Sequence, residues 1–389
     1  VVTGSNGKTT LLHMLESQIG DKAKYSHHAN TSFGIPFDIL DLHRKILKSE
    51  GWISFFFLAP FRIFLKLPKE KIYIVEADAY SSNVGKFLAE LLRPEIVLWV
   101  STARTHSMNF DSLVADGKFK NVEEAIAYEY GYFLEYSSKF AIINGDSELQ
   151  LQQKSRTKAD VRTVTKEKDF KKFTITKEGT TFELVNKRYT FPYLLPEEIF
   201  YSIAMCKEVV EYLNLTFDST FKNFSIPPGR GTLFAGIKNT TLIDSSYNAN
   251  LSSMIVVLEM YKKFPSNNKW VVLGDMLELG EEEKEEHEKF AEVVLDADLE
   301  NVILVGRLTK KYTYPILKGK QKVASFESGR EALDYLEKNL KGSESVLFKG
   351  SQSLLLESII KKLLKNESDV SKLPRQGQFW DDLRKRKGY

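Results

Sequence analysis

The sequence predicts an α/β protein built from two sheet-centred domains. Three observations carry this expectation. Short continuous apolar runs alternate with helix-period stretches, as in buried parallel strands joined by helices. The chain opens on a small-residue turn between a strand stub and a helix, Val1-Val2-Thr3-Gly4-Ser5-Asn6-Gly7-Lys8-Thr9-Thr10. A stretch with two prolines and two glycines, Ile226-Pro227-Pro228-Gly229-Arg230-Gly231, separates two regions in which the strand–helix pattern begins afresh.

In the opening turn, Gly4 and Gly7 let the backbone N–H groups of Ser5, Asn6 and their neighbours converge on an anion, and the following helix adds its positive end. Lys8 suits the β and γ phosphates of a nucleotide, Thr9 offers a hydroxyl to Mg²⁺, and Thr10 completes the set. Val2 stands six residues before the lysine, where the usual phosphate-loop pattern has glycine, so the loop is a shortened variant. Leu11, Leu12, Leu15 and Ile19 continue it as a helix over 8–19. The expected first domain is therefore a P-loop ATPase-type unit with a mostly parallel central sheet.

Further strands are expected at Ile72–Glu76, Glu95–Val100 and Ala141–Asn144. Phe173 to Phe191 alternates with period two around Glu178-Gly179 and predicts an antiparallel hairpin. A helix over about 196–213 closes the block and carries Cys206 in apolar surroundings. Beyond the linker, 241–244, 270–274, 301–306 and 345–350 predict the strands of a Rossmann-like α/β domain. The acidic run Glu281–Glu286 suits the first turn of a helix. The expected organisation is a first domain over 1–226 with an aromatic-rich insertion at about 44–70, a linker at 227–231, a second domain over 232–368, and a basic tail over 369–389 whose cluster Arg384-Lys385-Arg386-Lys387 reads as solvated.

Composition narrows the class. The 389 residues carry 55 basic and 52 acidic side chains, a net charge of +3 that argues against a nucleic-acid partner. The single cysteine excludes an internal disulfide and a cysteine-rich zinc site, and suits a reducing cytoplasm. The chain starts on Val within a strand stub, which predicts further sequence upstream. The stretch 51–67, GWISFFFLAPFRIFLKL, is too short to span a bilayer. Peripheral membrane contact, a buried insertion and a dimer patch are the three readings open for it.

Several residues suit nucleotide chemistry. Glu76 ends an apolar strand, where an acid in a doubly wound sheet reaches the crevice beside the phosphate loop, and Asp78 is its rival as a metal ligand. His106 lies just past another strand; taken alone such a histidine is more often structural, and His27 and His28 stay undecided. Arg230, delivered by the linker, suits charge on a transferring phosphate, and Asp244 at a strand end suits ribose hydroxyls. Together they predict ATP at a cleft that closes between two domains.

TGSNGKTT, DSSYNANLSSM (244–254), VVLGDMLELGEEEKEEH (271–287) and VLFKGSQSLLLE (346–357), in this order, resemble the Mur ligases. The likeness is to the branch that adds D-alanyl-D-alanine to the UDP-muramoyl tripeptide, and it covers the ATPase and C-terminal domains. It implies an ATP-dependent amide-forming ligase of cell-wall precursors, with a muropeptide acceptor, an amino acid or dipeptide as amine, and an acyl-phosphate intermediate. It implies Thr9 and Glu76 as ligands of one Mg²⁺, His106 at a second, Lys8 offsetting charge on the triphosphate, and Arg230, Asp244 and Asn248 as nucleotide contacts.

Three departures accompany the likeness. Tyr130 stands where the family commonly carries a carbamylated lysine, and Tyr132 where an acid follows. Phe200, Tyr201 and Ser202 occupy the region of the adenine-contacting asparagine. The family's N-terminal UDP-sugar domain is not in this sequence. The alternatives are an ATP-binding relative without activity and a folate polyglutamate-type synthetase. A lipid-linked amidating relative of the kind with a four-cysteine zinc site conflicts with the single cysteine.

Overall fold

A computed structural model describes residues 1–27, 29–42, 59–63, 69–185 and 187–387. His28 lies outside the described residues, as do 51–58 and 64–67 of the aromatic stretch. Packing divides the chain into two compact units. The first comprises Val1–Ala103, Asn109–Asp169 and Tyr201–Ser225; the second comprises Arg104–Met108, Phe170–Phe200 and Ile226–Tyr389.

The first unit is built on parallel strands β1 (Val2–Thr3), β2 (Ala23–Ser26), β3 (Ile72–Val75), β4 (Ile96–Trp99), β5 (Phe140–Asn144) and β6 (Asp160–Val164). Four of them form a sheet in the order β1-β4-β5-β6, and β2 pairs with β3. A parallel bridge between Val2 and Glu76 joins the two sets, so β1 sits between β3 and β4. Because the order reverses at β1, the turn after it opens at the switch point where ligands bind in doubly wound sheets. The helix Lys8–Ile19 follows it with the predicted bounds. Val75, Val97, Trp99 and Ile143 pack against Leu88, Ile126, Tyr130 and Phe133 of the helices Val84–Leu92 and Val122–Glu135. Asn121 caps the latter helix, accepting from Glu124 N at 2.9 Å.

The second unit holds a meander of β7 (Phe170–Thr176), β8 (Gly179–Leu184) and β9 (Lys187–Phe191). It also holds a six-stranded sheet of β10 (Thr232–Ala235), β11 (Thr241–Asp244), β12 (Lys269–Gly274), β13 (Asn301–Val305), β14 (Val323–Phe326) and β15 (Ser345–Lys349). The order is β10-β11-β15-β12-β13-β14, parallel except for the edge strand β10. Alternate residues serve opposite faces. Ile243, Val271 and Leu347 pack under the helices Leu251–Lys262 and Glu283–Leu295, while Leu242, Val272 and Val346 pack against Leu336 and Ile360. Both faces are covered, which is why these strands read as continuous apolar runs.

Three differences from the sequence expectations have physical causes. The expected hairpin is a three-stranded meander, because Lys187–Phe191 adds a further antiparallel strand to β8. The meander packs with the second unit, since Ile175 and Leu194 join the apolar cluster of Ile243 and Leu258. Edge strands β10 and β14 escape notice as four-residue segments without a long apolar run. Of the four basic residues expected in solvent, Lys385, Arg386 and Lys387 are exposed, but the helix Gln378–Arg386 buries Arg384, whose Nη2 donates to Glu357 Oε1 at 3.1 Å. Among the described residues no helix is long and apolar enough to cross a membrane.

Candidate active site

The turn between β1 and the helix Lys8–Ile19 is stitched to the segment after β4. Ser5 N donates to Ser101 O at 3.0 Å, Asn6 N to Ser101 Oγ at 2.8 Å, and Ser5 Oγ to Ala103 O at 2.7 Å. Gly4 and Gly7 take φ of 122° and 87°. A Cβ on Gly4 would lie 2.6 Å from Ser101 O, and one on Gly7 2.9 Å from a Val100 methyl. The turn therefore tolerates glycine alone at both places, and it presents a concave run of backbone at the helix start.

Lys8 is buried. Its ammonium donates to Gly4 O at 2.5 Å and pairs with Asp78 Oδ2 at 3.0 Å. The other carboxylate oxygen of Asp78 accepts from Tyr130 OH at 2.7 Å. Asp78 is thus the counter-ion of the loop lysine, with both oxygens engaged. Thr9 Oγ1 donates to Glu76 Oε2 at 2.9 Å. That pair offers hard oxygen donors suited to Mg²⁺. Thr10 is buried beside it in the same turn. Of the residues near the missing family asparagine, Phe200 packs on Phe170 with ring centres 5.0 Å apart, and Tyr201 donates to Asp146 Oδ2 at 2.5 Å. Ser202 is buried with its hydroxyl unpartnered, about 4.0 Å from the position of a Cβ on Gly7.

In the second unit, the parallel neighbours β11 and β15 end on Asp244 and Lys349. Asp244 is fully buried. Its Oδ1 accepts from Ser246 N at 3.0 Å while Oδ2 has no partner. Burial pushes its carboxyl up to about 6. Lys349 donates to Asn248 O at 2.9 Å. Burial, and then the nearby Arg230 charge, push its ammonium down to about 7. The Arg230 guanidinium lies over the Tyr247 ring, 4.3 Å from its centre. An unpartnered buried carboxylate oxygen and two mutually repelling cations in the same unit are groups that a bound hydroxyl and anion would satisfy. Asn248 Oδ1 accepts from Ala249 N at 2.9 Å.

His106 belongs to the second unit, with a φ of 54°. Its Nδ1 lies 2.5 Å from Glu278 Oε2. The structure thus brings Lys8, Thr9, Glu76 and Asp78 together in one unit, and Arg230, Asp244 and Asn248 in the other. Lys349, Tyr247 and Ser202 join them without having been singled out as ligands. For Lys349 the available signal was a charged residue closing the apolar run Ser345–Phe348 at a strand's carboxyl end.

A phosphate loop at the switch point of one parallel sheet, with a second Rossmann-like unit carrying a buried acid and two cations, defines a nucleotide-dependent enzyme class. The family profile described as "Mur ligase middle domain" matches residues 2–196, and that described as "Mur ligase, glutamate ligase domain" matches 229–352. The chain belongs to the Mur ligase family, ATP-dependent ligases of peptidoglycan precursors.

The UDP-N-acetylmuramoyl-tripeptide–D-alanyl-D-alanine ligase of Escherichia coli strain K12 is 26% identical, over 94% of this chain and 76% of that protein. The protein of the same name from Rickettsia prowazekii is 35% identical over 138 residues, 36% of this chain and only 30% of that one. The crystal structure of MurF ligase from Thermotoga maritima in complex with ADP superposes with a TM-score of 0.71 at 22% identity, covering 99% of this chain and 80% of that one. At that identity the superposition speaks for the fold.

Proposed function

We propose that the chain forms an amide bond at the expense of ATP, joining D-alanyl-D-alanine to a UDP-muramoyl tripeptide. The observation that carries the ATP-dependent part is the triad of loop features around Lys8: positive-φ glycines, a buried ammonium, and the Thr9–Glu76 oxygen pair. The choice of substrates rests on the likeness to the E. coli ligase over 94% of this chain and 76% of that protein.

In the proposed reaction, a carboxylate oxygen of the tripeptide attacks the γ-phosphorus of ATP. The bond to the β-phosphate oxygen breaks, ADP leaves, and an acyl phosphate remains. The dipeptide amine then attacks the acyl carbon, phosphate departs, and the amine proton passes to solvent. Lys8 and Arg230 offset the charge that keeps a carboxylate from a triphosphate. Thr9 and Glu76 fit Mg²⁺, which when bound draws charge from the β and γ phosphates. Asp244 Oδ2, left unpartnered and buried, fits a ribose hydroxyl, and Asn248 is assigned as a further nucleotide contact. His106 is assigned to a second Mg²⁺. Tyr130 carries a neutral phenol engaged with Asp78 and supplies no anionic metal ligand.

Mass spectrometry of the full natural chain with UDP-muramoyl tripeptide, D-alanyl-D-alanine, ATP and Mg²⁺ tests the reading. Ligated product and ADP are expected in equal amounts, and Lys8→Ala should lose both. Ligation of glutamate to a folate acceptor, with none of the muropeptide, would replace the substrate assignment; full ligation by Lys8→Ala would reject the mechanism.

A further inference from the structure

Away from the phosphate loop, the first unit gathers two imidazoles and a carboxylate. His13 and Glu16 share a face of the helix Lys8–Ile19 at i,i+3 spacing. His27 follows β2, which its parallel pairing with β3 holds in register beside that helix. His27 Nε2 lies 3.0 Å from Glu16 Oε2, and His13 Nδ1 lies 3.6 Å from the same oxygen. The two imidazole centres are 4.6 Å apart, and one donor atom from each of the three residues falls within 4.8 Å of the others.

We propose that His13, Glu16 and His27 form a binding site for a divalent transition-metal ion of the zinc class. Around a tetrahedral ion with bonds of about 2.0–2.1 Å, neighbouring donor atoms stand roughly 3.3 Å apart. Both measured donor separations bracket that value, so small side-chain rotations bring all three onto one ion. Two nitrogens and one oxygen select Zn²⁺, Co²⁺ or Ni²⁺ over Mg²⁺, which demands six oxygen ligands. The cluster is half-buried and borders a cavity of about 510 Å³, also lined by Gly20, Asn223 and Ser225. That opening leaves the fourth position to water or a small ligand.

The site is separate from the nucleotide loop. Glu16 stands eight residues beyond Lys8, about 12 Å along the helix axis. The ion would tie the far end of the phosphate-loop helix to the segment after β2. This assignment stands whether or not the proposed substrates are correct.

Zinc titration of the full chain against a chromophoric chelator, with excess Mg²⁺ present, provides the test. One equivalent of Zn²⁺ is expected to bind, with affinity at least about tenfold weaker in each of Glu16→Gln and His27→Gln. Co²⁺ should give the intense visible absorption of a four-coordinate site in the parent chain and lose it in both variants. The side chains are partly exposed, so metal-free melting curves of the variants should match the parent. Unsaturable binding, or equal affinity in parent and variants, overturns the proposal. So does Co²⁺ absorption that survives both substitutions.

Discussion

Tyr130 donates its phenolic hydrogen to Asp78 at 2.7 Å, from a position with no solvent exposure. Asp78 in turn pairs with Lys8 at 3.0 Å. The phenol therefore orients the carboxylate that holds the loop lysine. Tyr130→Phe keeps the ring against Trp99 and removes the hydroxyl that makes this bond. Because the acceptor is charged and buried, we expect a loss of about 1.5–3 kcal/mol in unfolding free energy, read by urea denaturation. A loss within error would show that Asp78 needs no second donor.

Asp244 titrates in the folded protein at about 6, above its ordinary 3.8, because burial disfavours the carboxylate. The folded state thus binds the proton more tightly than the unfolded chain. Stability from this group is complete below the ordinary value and drains away as pH rises through about 6. Asp244→Asn does not titrate, so its stability relative to the parent should rise between pH 5 and 7.5, by about 1–1.5 kcal/mol. The same variant should bind ADP more weakly. A parallel pH dependence in the two proteins would place the folded titration elsewhere.

Much of the scaffold was legible because both sheets are covered on both faces. The four residues Thr241–Asp244 are an expected strand with the observed bounds, and the helix Lys8–Ile19 likewise follows its apolar spacing. The phosphate-loop residues sit together for a local reason, since turn and helix are contiguous. What escaped is nonlocal. Lys349 meets Asn248 across 101 residues, and nothing near Lys349 in sequence announces that its ammonium is buried. Glu357 pairs with arginines 18 and 27 residues away, so the terminal segment reads as solvated charge until its partners are in view. Tyr130 could be seen as a replacement, but its partner Asp78 arrives from another strand end.

Arg375 is the centre of that terminal knot. It donates to Glu357 Oε2 at 2.6 Å and to the backbone oxygens of Ser246 and Tyr247 at 3.0 and 2.5 Å. Tyr247 carries the Arg230 guanidinium on its ring. Arg375→Met leaves Glu357, itself 1% exposed, with a single arginine partner. Stripping one charge from such a buried pair costs about 3–5 kcal/mol. We expect a loss near that size in calorimetry. Arg375→Met with Glu357→Gln should recover part of it, since the buried carboxylate that has lost one of its two arginines is then neutral. Failure of the double variant to recover any stability would mean that the backbone bonds to Ser246 and Tyr247 carry the cost.

Gly4 separates the geometry of the phosphate loop from its charge. With φ at 122° and Ser101 O 2.6 Å from where a Cβ would stand, Gly4→Ala introduces no charge and removes none, yet must displace backbone. The strain alone costs about 1–3 kcal/mol. The displaced atoms are the ones stitched by Ser5 N to Ser101 O, so the turn itself has to open. ADP affinity should therefore fall at least about tenfold in Gly4→Ala, measured at a temperature where the variant is folded. Gly20→Ala at the far end of the same helix supplies the contrast: its φ of 59° is also strained, but no atom lies within 4 Å of the added methyl. It should lose stability while keeping ADP affinity. Equal affinity losses in the two variants would show that helix strain, and not the shape of the cradle, limits nucleotide binding.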